Sequence, residues 1–592
     1  MSLAPSPVAR LVATVLTSTL CPAATFAAEP ASAPTALVAQ VTRASLQYEP
    51  NGNGLCPLGV ETATLYADAS VFLRRHGCGI DQSLRDFVTD VQFVSGSGLG
   101  QAPRMFAVRN DATVVAWGDT RCGLLGNDRH DRSYQSLPTE IQLRGVTAIA
   151  NGSWFSIART SDGGVYTWGL NYEGTLGLGL GMDAPGAIAC DNEYYPAGHA
   201  YRTGAAVTRP TQVSAIANAV TVAADRVTAY ALDAAGNVFE WGLVPIDPRP
   251  QPFGTFDTQP VPRKVDGLPP VVAIATSHYM KYALTSDGAV HGWGPNVIGN
   301  FGDGTLAPRL TPTRVPQLAD VVDIAASGDS PVVALLSDGT IRYWGGCCYL
   351  PEAPLPAWIR TVPTAPAPGA TPLYADDRGL FSGTLPPIRH VEGNGGAVLL
   401  YGVDGSLYLF PRSNTEQVFV LVSRAPNASA KASDVTAVEY HHAAFGHYFV
   451  TALADEIERL DGGGFAGWSR TGATFKVFSG RVPASAEVCR LFNDSFGERS
   501  SHFYTADALE CAKLRARGDW RFEGRVFSVL PAYFSGACPP FSTPVYRLYN
   551  NGRHGAPNHR FTQSTQARDA MLAQGWVAEG RGPAGVAMCS PN

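Results

Sequence analysis

Three kinds of side chain recur at spacings that chemistry could use. His447, His502 and His559 stand 55 and 57 residues apart, and neutral imidazoles related by a threefold axis could converge on zinc. Asp162, Asp287 and Asp338 each precede a tryptophan by six residues, and carboxylates on successive units could be offered to calcium. Eleven cysteines could ligate metal or pair as disulfides.

Each metal reading has a simpler competitor. A calcium cage needs several oxygens close together, whereas each unit offers one aspartate beside a glycine, which suits a turn. No Cys-x-x-Cys occurs, so zinc-finger spacing is missing. The three histidines precede similar aromatic segments, so they are expected to be structurally equivalent, to pack, and to bind no catalytic metal. Flanking acceptors are inconsistent, since Glu456 and Glu510 match each other while the third unit has Ala567. Nucleophile elbow, phosphate loop, dinucleotide fingerprint and His-Glu-x-x-His helix are absent from the sequence, so no catalytic residue, metal or cofactor is assigned.

Elements that could position such residues follow from composition. The chain has 592 residues, 45% hydrophobic and 16% charged, with 62 Gly and 44 Pro. That mixture excludes coiled coils and charged disorder and favours short strands joined by turns. A net charge of -6 provides no basic field for a phosphate backbone, which argues against nucleic acid as a partner. Arg10, the apolar run Leu11 to Leu20 and small residues to Ala27 have the layout of a signal peptide, placed at 1–27. Secretion or a periplasmic location is the expectation, with no transmembrane segment after the leader. Ten cysteines would then remain in an oxidising compartment, an even number that suggests disulfides.

Six segments repeat one plan, in which two apolar runs precede a tight turn and a third run ending in an aromatic residue. The endings are Trp117, Trp168, Trp241, Trp293, Trp344 and Phe410, at intervals of 51, 73, 52, 51 and 66 residues. The basic period is about 51, and the long intervals carry insertions. The apolar runs read as strands covered on both faces, as in stacked propeller blades. The five tryptophans are expected at equivalent, buried strand ends. VTAIANGSWFSIARTSDGGVYTWGLNYEGTLGLG, from Val146 to Gly179, resembles the regulator-of-chromosome-condensation repeat nearly throughout. The resemblance covers residues 91–423 and implies an all-β propeller of six explicit blades or seven, closed by strands from both termini. A seventh blade in residues 40–86 would lack the Trp-Gly ending, so residues 28–90 stand as an N-terminal segment before a propeller at 91–424. A sialidase-type propeller is rejected, because its Asp box places the aspartate five residues before the tryptophan. The best-known member of the resembled family exchanges guanine nucleotide on a nuclear GTPase, a role that a leader and acidic charge do not fit.

Two insertions interrupt the repeats. Residues 180–210 carry Cys190, Tyr194 and Tyr195, and residues 346–387 carry Cys347, Cys348 and Trp358. Loops on a rigid scaffold often hold binding residues, which makes Tyr194, Tyr195 and Trp358 the candidates. A small, polar stretch at 425–434 reads as a linker. From 435 to 592, three units each run from an aromatic strand through a histidine to a short helix, Gly and Trp. HFYT, YRLYNN and the Glu-Gly pairs at 523–524 and 579–580 resemble a bacterial repeat of unknown function appended to secreted proteins. A smaller α+β module of three pseudo-repeats is expected, with Cys489 bonded to Cys511 and Cys538 to Cys589. The pairing of Cys56, Cys78, Cys122, Cys190, Cys347 and Cys348 is left open.

The functional expectation is an exported, non-enzymatic scaffold whose propeller binds a protein or a cell-surface glycan, with the C-terminal module serving attachment. Its rival is a secreted hydrolase with converging carboxylates or a perturbed histidine in a propeller pocket.

Overall fold

A computed structural model describes residues 38–592 outside 47–58, 67–70, 78–79, 98–102, 132, 192–202, 246–255, 278–279, 297–298, 328–330, 346–359, 366–373, 377–378, 382–384, 395–396, 405, 411–419, 424–433, 481, 483–484, 497–498, 534–535 and 553–556. Seven antiparallel sheets follow one another in residues 38–88, 91–141, 146–212, 219–264, 271–314, 321–364 and 388–423, and are blades 1 to 7. Each has four strands, except that blade 3 gains a fifth at its outer edge.

The first strand of each blade lies against the first strand of the next around the whole circuit. Ile388–Asn394 of blade 7 meets Val38–Leu46 of blade 1, which closes the ring. Residues 38–88 are therefore a full blade without a Trp-Gly ending, and the propeller starts at residue 38 rather than 91. Among the described residues each blade comes from one continuous stretch of chain, so the closure by strands from both termini, expected from the repeat, does not occur.

The hairpin turns form as their chemistry demands. Asp287 accepts from Thr285 Oγ1 and Ala289 N, Asp338 from Thr340 Oγ1 and N, and Asp162 from Thr160 Oγ1 and Gly164 N. Gly163, Gly288 and Gly339, at φ of 82°, 78° and 82°, take the left-handed step that follows. Apolar cores lie between successive blades, so both faces of an interior sheet are buried. One such core joins Phe106, Val108 and Leu125 to Ala158 and Trp168, and another joins Tyr282, Leu284 and Phe301 to Val332 and Trp344.

The insertions prove partly structural. Within 180–210, Ala187–Asp191 and Thr203–Gln212 are the outer strands of blade 3, and a Cys122–Cys190 disulfide ties them to blade 2. In the second insertion, Arg360–Thr364 completes blade 6, and Tyr374–Asp376 pairs with Gly379–Phe381.

The C-terminal module begins at Asp434, which opens the strand Asp434–His442 rather than ending a linker. Each of its three units is a hairpin, a helix and a return strand. The helices are α1 (Ala454–Asp461), α2 (Ala508–Arg517) and α3 (Thr565–Ala573). Thr451, Thr505 and Thr562 accept from the backbone N–H two residues on, closing a turn just before each helix. The second hairpin strands, His447–Thr451, Arg499–Thr505 and His559–Thr562, meet one another around a pseudo-threefold axis. Tyr504 fills the axis, exchanging hydrogen bonds with the Val450 backbone and lying edge-on to Phe561.

The module sits on the propeller face that carries the second-to-third-strand turns. Tyr533 donates to Arg389 O at 2.9 Å in blade 7, and Phe541 packs on Gly339 in blade 6. The opposite face, which among the described residues carries third-to-fourth-strand connections of blades 2, 3 and 5, is not touched by these contacts.

Candidate functional site

Trp117, Trp168, Trp241, Trp293 and Trp344 end the third strands of blades 2 to 6 and are all buried. Three indoles reach into the preceding blade. Trp168 donates to Leu124 O, Trp241 to Thr175 O and Trp344 to Asn300 O, at 3.1, 3.0 and 2.8 Å. The acceptors lie in Gly-x-x-Gly turns after the preceding third strand, where close glycine backbones meet the ring. Trp293 departs from this pattern and approaches the Glu240 carboxylate at 3.4 Å. A cavity of about 220 Å³ lies beside it, between blades 4 and 5.

Tyr194, Tyr195, Trp358, Cys56, Cys78, Cys347, Cys348 and residues 1–27, where a leader is expected, all lie outside the described residues. Cys489 is bonded to Cys511 and Cys538 to Cys589, and each of the six described cysteines is in a bridge.

The three histidines are not equivalent. Measured from the matching threonines Thr451, Thr505 and Thr562, His502 and His559 lie three residues back, where the first unit has Tyr448. His447 lies four back, in the place of Ser501 and Asn558. The one-residue offset turns His447 to the other face of its strand, because successive side chains on a strand alternate.

The equivalent positions make a repeated polar cluster. Arg490 forms a bidentate pair with Glu456 of α1 at 2.8 and 2.6 Å, and its Nε lies 2.9 Å from Glu523, which is also 3.4 Å from His502 Nε2. Arg547 repeats this with Glu510 of α2 at 2.8 and 2.9 Å, and its Nε lies 3.2 Å from Glu579, which is also 3.2 Å from His559 Nε2. Each arginine also covers the phenylalanine of the preceding unit, Phe449 or Phe503. Around the axis, a helix glutamate of one unit thus holds the arginine of the next.

Unit 1 inverts the pattern. Glu439 stands where the other units have Arg490 and Arg547, Thr471 replaces the second glutamate, and α3 offers Ala567. The counter-charge comes instead from Arg560, which pairs with Glu439 at 2.9 Å and covers the Tyr448 ring.

Burial holds His502 and His559 below the ordinary histidine range, against the opposing pull of Glu523 and Glu579. His447 is pushed down to about 4 by burial, then by His502 and its other histidine neighbours, and among the described residues its Nε2 has no hydrogen-bond partner. The rings of His447 and His502 are 6.4 Å apart, and among the described residues no three His, Cys, Asp or Glu side chains are grouped to hold a metal ion. The arrangement is an ion-pair lattice that fastens three units together.

Comparison with known proteins agrees with this architecture. Residues 146–175 match the Regulator of chromosome condensation (RCC1) repeat, and residues 438–586 match a Domain of unknown function (DUF5648). The propeller is of the RCC1 repeat type, and the module after it is a DUF5648 domain. The chain is 28% identical over 247 residues to the RCC1 domain-containing protein RUG3, mitochondrial, of Arabidopsis thaliana, covering 40% of this chain and 51% of that protein. It is 27% identical over 263 residues to Protein pim1 of Schizosaccharomyces pombe, covering 40% and 44%. The chain thus spans about half the length of these curated relatives. Yeast RCC1 (Prp20), solved with Kap60, superposes with a TM-score of 0.44 at 17% identity, covering 69% of this chain and 91% of that one.

Proposed function

We propose that this protein is an exported, non-catalytic interaction scaffold whose open propeller face binds a protein partner while the C-terminal module braces the other face. The observation that carries the reading is a set of three exposed apolar side chains on that face, out of eleven large ones exposed among the described residues. Leu180 and Met182 after the third strand of blade 3, and Leu306 after that of blade 5, are 48%, 58% and 46% exposed on the same face. Large apolar side chains raised on the rim of a rigid scaffold mark an interaction surface. The residues that repeat are engaged in structure: three of the indoles bond the preceding blade, aspartates close turns, and arginines and glutamates lock the module. Export is supported by the leader-like segment and by the three bridges, which persist where thiols are oxidised.

The test is crosslinking of the full chain in envelope extracts, wild type beside the triple variant Leu180→Asp, Met182→Asp and Leu306→Asp. A protein captured by the wild type and lost with the triple variant is the expected result. Identical capture by both, or cytoplasmic retention of the native chain, overturns the reading.

A further inference from the structure

The cavity between blades 4 and 5 contains a lysine that the repeat does not explain. Lys281 is 1% exposed and lines the cavity, its Nζ lies 5.9 Å from the centre of the Tyr230 ring, and among the described residues no group accepts a hydrogen bond from it. A buried ammonium without an acceptor is costly and rarely retained without a reason.

Register shows how unusual it is. Lys281 sits opposite Trp293 on the neighbouring strand, and the residues opposite Trp117, Trp168, Trp241 and Trp344 are Met105, Ser156, Ala229 and Val332. Four blades fill the place with small or apolar groups, and blade 5 fills it with a charge. Glu240 is a second departure, since residues just before the tryptophans of the other blades are Ala116, Thr167, Gly292 and Tyr343. Blade 4 also departs from the other blades in sequence. After Gly242 the sequence reads LVPIDPRPQP, which holds no Gly-x-x-Gly such as three of the other indoles bond to.

The neighbouring carboxylates are already engaged. Glu240 accepts from Arg263 at 3.1 Å and faces the Trp293 indole. Asp225 accepts from Val227 N, Thr228 N and Tyr230 Oη. With Arg263 and Lys281 set against Glu240 and Asp225, the surroundings are balanced in charge, and among the described residues they offer Lys281 the Tyr230 ring but no hydrogen-bond acceptor. Burial also lowers the affinity of Lys281 for its proton, so an incoming anion would restore it. Trp293, Val244 and Leu310 supply apolar walls.

We infer that this cavity binds a small carboxylate with an apolar body, the carboxylate bonded to Lys281 and the body against Trp293, Val244 and Leu310. An ammonium–carboxylate bond is charge-assisted, and few polar groups among apolar walls are what small-molecule sites present.

Benzoate is the probe, with benzamide as its neutral isostere and inorganic phosphate and chloride as simple anions, followed by saturation-transfer NMR on the full chain. The expected result is saturable benzoate binding that benzamide does not reproduce and that weakens at least about tenfold in Lys281→Met. A second readout needs no variant, because benzoate should protect Lys281 from acetic anhydride, read by peptide mass spectrometry. Absence of saturable benzoate binding, equal binding by benzamide or phosphate, or unprotected Lys281 at saturating benzoate each overturns the inference. The protein-binding reading is unaffected, since it rests on Leu180, Met182 and Leu306.

Discussion

Replacing His447 by Asn, the residue of the third unit at the same register, should flatten the acid limb of the module's stability. In the folded chain this imidazole is pushed down to about 4, whereas an ordinary histidine titrates near 6.5. Between those values the unfolded chain takes up a proton that the folded chain refuses, so stability is full above about 7 and is lost as pH falls toward 4. At about 1.4 kcal/mol for each pH unit, the loss from this one residue amounts to about 3 kcal/mol. His502 and His559, also held low by burial, act in the same direction. His390, raised above its usual range although burial opposes it, because Asp323 lies 2.6 Å away, acts in the opposite direction. Urea unfolding of the full chain at pH 7.5 and pH 4.5, with hydrogen exchange reporting module amides, measures the effect. His447→Asn should lose less between the two conditions than the wild type, by about 3 kcal/mol. An identical loss in both proteins would refute the assignment of His447 as a buried neutral imidazole.

Three other outcomes are expected. Trp168→Ala should cost on the order of 3 to 5 kcal/mol in denaturant unfolding, because it empties a fully buried site and strands the Leu124 carbonyl, and a cost below about 1 would contradict the blade assignment. Arg560→Ala should destabilise by about 3 to 5 kcal/mol, since Glu439 is 1% exposed and would be left without its partner, while Glu439→Leu with Arg560→Leu should recover much of that loss in calorimetry. Peptide mapping without reduction should show Cys122 joined to Cys190, and Cys122→Ser should cost about 4 kcal/mol for the 68-residue separation the bridge spans.

What could be read from sequence depended on how strongly a residue type is tied to one backbone event. Asp-Gly turns and Trp-Gly strand ends recur because a positive φ and a ring-sized slot recur, and so blades 2 to 7 stood out. Blade 1 has the same strands, but nothing in Val71–Gly77 ends in tryptophan, so period alone had to carry it. The histidines misled for a geometric reason: GHYFVT and SHFYT look alike until counted from the threonine, and a strand reverses its faces with every residue. Lys281 and Glu240 were available to a register comparison across blades. Their meaning depends on two blades facing each other, which no single repeat records.

The way the ring is assembled bears on how the chain folds during synthesis. Each blade is a continuous stretch of about 50 residues, so each can complete its strand pairing soon after it leaves the ribosome and lay its inner face on the blade before it. A propeller that shared one blade between its ends would hold an unpaired strand exposed until the last residues arrived. Here the seam between Val38–Leu46 and Ile388–Asn394 must wait, but its two strands are already paired within their own sheets. The DUF5648 module, emerging next and seated on blades 6 and 7, then braces one side of that seam, so a nascent chain stalled before residue 434 should be selectively cleaved by protease at the junction of the first and last blades.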